Sequence, residues 1–529
     1  MQSFLRFGLF HLAAITASSS FVSAAPPKLD YFFPAGAQRG TSVEVTAAGT
    51  FERWPVKAWC DAKGIDIKPG KTSGKLTVTV AKEVEPGTYW LRLYDDDGAS
   101  IARPFIVGVL PEVLEVEPND DPKKPQVLAS SQLVVNGRLG KPGDVDTFAV
   151  KLTKGQTLVA SLEAHRTLRS PMDGVLQILS ADGFVLDQND DYHGIDPQIA
   201  FTAPKDGTYL VRTFAFPALA DSTIGFAGRE TFVYRLTMTT GPWVEYANPL
   251  AVSRTGQATV ELVGWNIPDD LRKFPVTPRA GVETLKQFDP RIANPFFVRL
   301  EPHPVVIKAK ATRAQPMLIS PPVTITGRLD RADDIDVYQF DAKKGQQIAF
   351  RIETRTLGFP LDPVLRLTDA AGKTIAQTKA GVIGADASLD FTAPGDGSYR
   401  IEVSDLHGAA GMRYVYRLRA GPIVPDFELK VTTDNFTLAP GKPLEIPVTV
   451  TLVGGYKQEV SLSVEGLPKT IEVASTAKGI TLRTTDKAGF SGPIRIVGRA
   501  KDGTSRFAHA TVAEFNRVTD SLWLSVLTK

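Results

Sequence analysis

The 529-residue chain is poor in several things at once. It has a single cysteine, Cys60, so no disulfide can form within it. Stability must come from core burial, packing between neighbouring domains, or a bound metal. Cys60, between Trp59 and Asp61, reads as a half-buried strand residue. After the first residues no window is apolar for long enough to span a bilayer. Charge of one sign is not in excess, with 60 basic against 58 acidic residues, and no long basic run exists, which excludes a nucleic-acid partner. Helical periodicity is almost missing.

Histidine is scarce too, at six residues, one of them His11 near the N-terminus. His193 lies beside Asp190 and Asp191 but no partner serine stands out, and His165, His303, His407 and His509 read as scattered surface residues. No H-E-x-x-H or G-x-S-x-G segment, P-loop or dinucleotide fingerprint occurs. The chain therefore reads as non-enzymatic.

What is present begins with "MQSFLRFGLFHLAAITASSSFVSA", an early arginine, an apolar run and a small-residue cleavage site after Ala24. This is the pattern of a signal peptide over 1–24, and it predicts an exported protein, periplasmic, secreted or on the cell surface. Short alternating runs follow, among them "TSVEVTA", "KLTVTV", "TYWLRLY" and "EIPVTVTL", separated by Gly, Pro, Asn and Asp. This pattern predicts an all-β chain of tandem β-sandwich modules.

Internal repetition sets the layout. "NGRLGKPGDVDTFAVKLTKGQTL" (136–158) returns as "TGRLDRADDIDVYQFDAKKGQQI" (326–348), and the copies close with "FVYRL" and "YVYRL". "LDYFFPAGAQRGTSVEVTAAG" (29–49) returns as "VEYANPLAVSRTGQATVELVG" (244–264). The order is A (25–113), B (114–242), A′ (243–320), B′ (321–422) and a strand-rich tail (425–529). "HRTLRSPMD" and "TRTLGFPLD" align Arg166 with Arg355 and Asp173 with Asp362, predicting an Arg–Asp bridge inside each B-type module, with a repeated binding groove as the alternative.

One stretch is chemically distinctive. "EVEPNDD" gathers Glu115, Glu117, Asn119, Asp120 and Asp121 at the A–B boundary, with the first three on one face of an extended strand. In "GDVDTFAVKL", Asp144 and Asp146 share a face with Phe148, Val150 and Leu152, which places two carboxylates at the rim of a core with no basic residue nearby on that face. If the arm folds back over them, five carboxylates and one amide converge. That oxygen set suits Ca²⁺ and not zinc, and the alternative is an acidic linker with hairpin-capping aspartates. B′ keeps Asp334 and Asp336, but its preceding segment "ATRAQPMLISPPVTITG" has no carboxylate. "DQNDDYHG" offers Asp187, Asn189 and Asp191 at calcium-loop spacing, but Tyr192 and Gln198 stand where Gly and Glu are needed, so it reads as a polar loop.

The B unit, with "EVEPND", "GDVDTFAV", "KGQ", "ADG", "NDD" and "FTAPKDGTYLV" in order, resembles the bacterial pre-peptidase C-terminal domain, and so does B′ in its core. The resemblance implies a jelly-roll-like β-sandwich of the kind that accompanies secreted peptidases. It also implies calcium held by Glu115, Glu117, Asn119 and Asp120 of the arm together with Asp144 and Asp146. The A units are similar to immunoglobulin-like modules of the IPT/TIG type. Together these readings predict a protein for adhesion or scaffolding, binding extracellular protein or polysaccharide, or acting as the accessory subunit of a secreted peptidase. The loop "FAFPALADSTIGFAGRE" (214–230), much longer than its B′ counterpart, is a candidate contact surface or a loop packed on A′.

Overall fold

The computed structural model describes residues 25–219, 221–222, 224–378, 385–486 and 489–528. Segment 1–24, which the sequence predicts to be a signal peptide, lies outside them. The alternation read from the sequence becomes strands throughout, with short helical turns at His165–Leu168 and Asp269–Arg272.

Module B is a sandwich of two five-stranded sheets. One runs Glu112–Leu114, Leu133–Arg138, Val233–Thr239, Thr157–Glu163 and Gln198–Thr202; the other runs Gln126–Val127, Asp146–Leu152, Gly207–Pro217, Met172–Ser180 and Val185–Asn189. B′ repeats the strand order in both sheets. Phe148, Leu176, Phe232 and Tyr234 are fully buried between the sheets of B, each contributing roughly 1.5–3 kcal/mol. A pairs a four-stranded with a five-stranded sheet, A′ has two three-stranded sheets, and the tail has a broad sheet facing a three-stranded one.

Strand pairing moves two boundaries. Glu112–Leu114 pairs in parallel with a strand of B, and Val305–Ile307 with a strand of B′. The B-type modules thus begin near 112 and 305 rather than at 114 and 321. The repeat alone hid this, because these lead-in strands are short and differ between the copies.

The modules fold back on one another. The first meets the last: Trp59 packs on Trp523 (ring centroids 5.4 Å apart) and Trp90 on Phe515 (5.0 Å). Arg517 lies 4.0 Å over Trp90, and Arg92 donates from Nη2 to Asp434 Oδ2 at 2.6 Å, both side chains buried. Arg413 of B′ joins three modules. Its guanidinium lies 4.1 Å over Tyr192 of B, forms an ion pair with Glu245 of A′ at 2.7 Å, and donates to Gly358 O. It also lies 3.1 Å from His193 Nδ1. His193 is therefore a junction residue rather than a surface one, and of the five described histidines only His407 is exposed.

Removing one partner of a buried ion pair leaves an uncompensated charge. Asp434→Ala, which strands Arg92 beneath Trp523, should destabilise the A–tail unit by about 3–5 kcal/mol in urea unfolding. Burial, then the charges of Arg166 and Arg413, push His193 down to about 3, with Glu163 and Gln198 opposing. A histidine neutral when folded and titrating near 6.5 when unfolded gives its full contribution above pH 6.5 and loses it as pH falls toward 3. From pH 6.5 to 5 the wild type should lose up to about 2 kcal/mol more than His193→Gln, seen as a steeper acid slope of its unfolding midpoint.

Candidate metal centre

The Glu112–Leu114 strand extends into the "EVEPNDD" arm, which crosses the end of the sandwich. Pairing continues to Glu115, whose N–H donates to Asn136 O at 3.0 Å. Its carboxylate turns inward, accepting from Arg138 N at 2.7 Å, with Tyr234 Oη 3.5 Å away. Gly137 makes room: a Cβ there would lie 2.2 Å from Tyr234 Oη and 2.7 Å from Glu115 Oε2. Arg138 links this spot to module A, its guanidinium 5.1 Å over the Phe33 ring.

Asp144 and Asp146 are buried at the core rim, at 2% and 0% exposure. Asp146 Oδ2 accepts from Tyr234 Oη at 2.5 Å, and Asp144 Oδ2 accepts from Gly140 N at 2.5 Å. Asn119, also buried, sets its side-chain amide 3.0 Å from Asp146 Oδ1 and 3.3 Å from Val145 O, contacts that are hydrogen bonds when the amide nitrogen is the atom turned toward them. Asp120 Oδ1 accepts from Val145 N at 3.2 Å. Carboxylate oxygens of Glu117, Asp120 and Asp144 lie within 4.8 Å of one another, the one such cluster among the described residues.

All six residues singled out in the sequence thus meet at one end of module B. Glu117, Asp120 and Asp144 form the open cluster, while Glu115, Asn119 and Asp146 form a deeper layer beneath. The expectation of no basic residue nearby needs correcting. Lys141, in the turn before the strand, lies 3.5 Å from Asp120 Oδ2 and 3.7 Å from Asp144 Oδ1. Its side chain is 63% exposed, and Asp144 Oδ1 is buried without a hydrogen-bond partner. Burial pushes the Glu115 carboxyl up to about 7, with the Glu117 charge adding to it. Asp146 stands well above the ordinary carboxylate range through burial and the facing charge of Glu115, and burial raises Asp144 and Glu117 as well. The protein alone leaves these carboxylates under-compensated, and an oxygen-rich donor set of this kind fits a hard divalent cation.

B′ resolves the same problem differently. Lys308 N donates to Thr326 O at 2.8 Å, the counterpart of the Glu115–Asn136 bond, so Lys308 occupies the Glu115 position. Its ammonium lies 2.6 Å from Asp336 Oδ1, while Tyr416 Oη donates to Asp336 Oδ2 at 2.6 Å. Asp336 is therefore not bare: a tethered cation meets it. Sequence comparison missed Lys308 because the two arms differ in length and align only through strand register.

The other candidates separate. The Arg–Asp bridge forms in B′, where Arg355 Nε donates to Asp362 Oδ1 at 2.9 Å. In B, Arg166 instead bonds Glu163, one helical turn away, at 2.6 Å, because Asp173 faces Asp190 and Asp191 and not the arginine. Of the segment expected to be a polar loop, Asp187 and Asn189 instead lie in the strand Val185–Asn189, where they accept bonds from Gln188 N and Gln198 N. Among the described residues of 214–230, Phe214, in the strand Gly207–Pro217, stacks on Phe226 (4.2 Å), Phe226 O accepts from Gly143 N of the same module, and Leu219 and Ile224 are exposed. Cys60 has its thiol pushed up to about 12 by burial, which makes it inert. Gly-Thr-Ser tripeptides occur at 40–42 and 503–505, but among the described residues no hydrogen bond joins either serine to a histidine, and Ser42 Oγ bonds Thr79.

Two segments, 144–215 and 334–405, match the bacterial pre-peptidase C-terminal domain family. A curated relative, a probable subtilase-type serine protease of Deinococcus radiodurans, is 26% identical over 334 residues, covering 59% of this chain. The match spans 40% of that relative's length. Among solved structures, the pre-peptidase C-terminal domain of collagenase from Bacillus anthracis is 19% identical and covers 21% of this chain and 99% of its own, with a TM-score of 0.17. The immunoglobulin domains 1–4 of Sidekick-1 are 10% identical and cover 95% and 98%, with a TM-score of 0.21. The chain carries two pre-peptidase C-terminal domains within a tandem all-β-sandwich array.

Lys308→Ala should destabilise B′ by about 3–5 kcal/mol, because Asp336 is then buried with the Tyr416 hydroxyl beside it but no compensating charge. Lys308→Ala combined with Asp336→Asn should recover most of that loss in urea unfolding.

Proposed function

We propose that the chain is an exported, non-catalytic array that binds extracellular protein, and that calcium stabilises its first pre-peptidase C-terminal module. The observation that carries the cation is Asp144 Oδ1, buried beside Glu117 and Asp120 without a hydrogen-bond partner and met by the exposed Lys141 ammonium at 3.7 Å. Glu117, Asp120 and Asp144 would hold the ion, with Glu115, Asn119 and Asp146 as the layer that orients them. The ion would bind the arm to the sandwich end. Through Glu115 and Arg138 it would also steady the contact with Phe33 of module A.

A second reading, an accessory part of a secreted peptidase, draws support from the subtilase-type relative. A polysaccharide ligand has less support, since no tryptophan is exposed and Trp59, Trp90 and Trp523 are engaged in the A–tail contact.

Extracellular calcium modules bind with dissociation constants of about 0.1–1 mM. A few millimolar Ca²⁺ should therefore stabilise module B by roughly 1–2 kcal/mol over EDTA, raising one calorimetric transition by several degrees. Glu115→Ala with Glu117→Ala should abolish that rise, whereas Asp334→Ala should leave it intact. Superimposed traces in calcium and EDTA would reduce the arm to an acidic linker.

A further inference from the structure

The repeated Arg-Thr-Leu turn differs between the copies at the residue that closes it. In B′ that residue is Gly358, left-handed at φ 88°, and in B it is Arg169, left-handed at φ 53°. Glycine adopts this conformation freely, whereas an arginine held in it gives up stability that glycine would keep. Backbone strain of this kind clusters at ligand and switch sites. Arg169 lines a pocket of about 240 Å³ at a three-module seam, with Phe32, Arg103 and Pro104 from A, Leu168 and Pro171 from B, and Glu514 from the tail.

The Arg169 charge goes unanswered by the protein. Its Nε is buried without a hydrogen-bond partner. Arg92, Arg138, Arg299, Arg413 and Arg417 share that feature, but each forms an ion pair through its guanidinium. Among the described residues no side-chain hydrogen bond or ion pair joins Arg169. Its charge bears instead on His165, which burial first, and Arg169 with it, hold below the ordinary imidazole range. The other charges at the pocket are spent. Arg103 donates from Nη1 to Glu514 and from Nε to Leu29 O, and Asp30 pairs with Lys28 at 3.1 Å. The balance left over is one positive charge, on Arg169.

We propose that this pocket binds a small monocarboxylate, its two oxygens on the Arg169 fork and its apolar body against Pro104, Leu168 and Pro171. A guanidinium fork matches a carboxylate edge through two parallel bonds. One positive charge balances one carboxylate, whereas a phosphate group carries about −1.5 to −2 near neutral pH, and Asp30 and Glu514 at the pocket would repel the excess. The volume lies below the about 300–1,000 Å³ of drug-sized sites, which restricts the occupant to a small molecule. Because A, B and the tail all line the pocket, an occupant would fasten the seam where the first and last modules meet B. The site rests on neither the cation nor the protein-binding reading, and its failure would leave both standing.

The test is a saturation-transfer NMR titration of the mature chain at constant ionic strength, with benzoate, with its neutral isostere benzamide, and with benzoate in competition with inorganic phosphate. Benzoate should bind with a Kd of about 1–10 mM, the strength of one charge-assisted pair and the contacts of a small ring. Benzamide should bind about tenfold more weakly. Arg169→Gly, which copies Gly358, should abolish the difference between the two while leaving the thermal midpoint equal or higher. Arg169→Lys, which keeps the charge but not the fork, should weaken benzoate about tenfold. Absence of benzoate binding, equal binding of benzamide, benzoate affinity unchanged in Arg169→Gly, or displacement of benzoate by equimolar phosphate would overturn the proposal. So would a lowered midpoint in Arg169→Gly, which would make Arg169 a packing residue.

Discussion

A carboxylate sealed at the end of a β-sandwich must be met by positive charge, and the two repeated modules are shaped by how each meets it. Asp146 and Asp336 occupy the same strand position and receive the same tyrosine hydroxyl, from Tyr234 and Tyr416. In B′ the remaining oxygen meets Lys308. In B, Glu115 stands in that place, and three more carboxylates gather above it. Leaving that charge uncompensated would cost several kcal/mol, an appreciable part of the stability of a domain this size. An ammonium answers that constraint in B′, and on the reading proposed above a divalent ion would answer it in B.

The same constraint organises the junctions. Arg417 of B′ is buried against Glu301 of A′, and Arg92 of A against Asp434 of the tail. Buried pairs of this sort add little net stability over apolar packing, but a misplaced module would strand their charges. They therefore select one arrangement of modules among the many that sandwich faces and loops would tolerate. Aromatic rings supply the apolar area at these contacts, as Trp59, Trp90 and Trp523 do between the first and last modules.

Much of this was legible in the residues. Alternation with period two, broken by turn residues, marked nearly every strand, since a sandwich face must bury every second side chain. The carboxylate arm was legible because like charges do not gather without cause, and Asp144 and Asp146 betrayed themselves by sharing a face with Phe148. Lys308 was not, because its meaning lies in strand register: Glu115 precedes Asn136 by 21 positions and Lys308 precedes Thr326 by 18, and that difference hides it from a linear comparison. Nor was the role of His193 or Arg413 legible. Residues 220 apart meet only once the modules are packed, and periodicity carries no information about which loop touches which.

The divergence of the copies is directional. B retains the carboxylate cluster and a long loop, stitched by the Gly143–Phe226 bond to the turn that carries Asp144. B′ has exchanged the arm carboxylate for Lys308, has a shorter loop, and carries Arg413 where B has Thr231. Arg413 is the residue that seats B′ against A′ and B. A module whose charge balance is internal can serve as a fixed joint at any cation concentration. A module whose balance depends on an external ion responds to its surroundings. On the calcium reading proposed above, placing one of each around A′ would couple an ion-responsive end of the array to a rigid one.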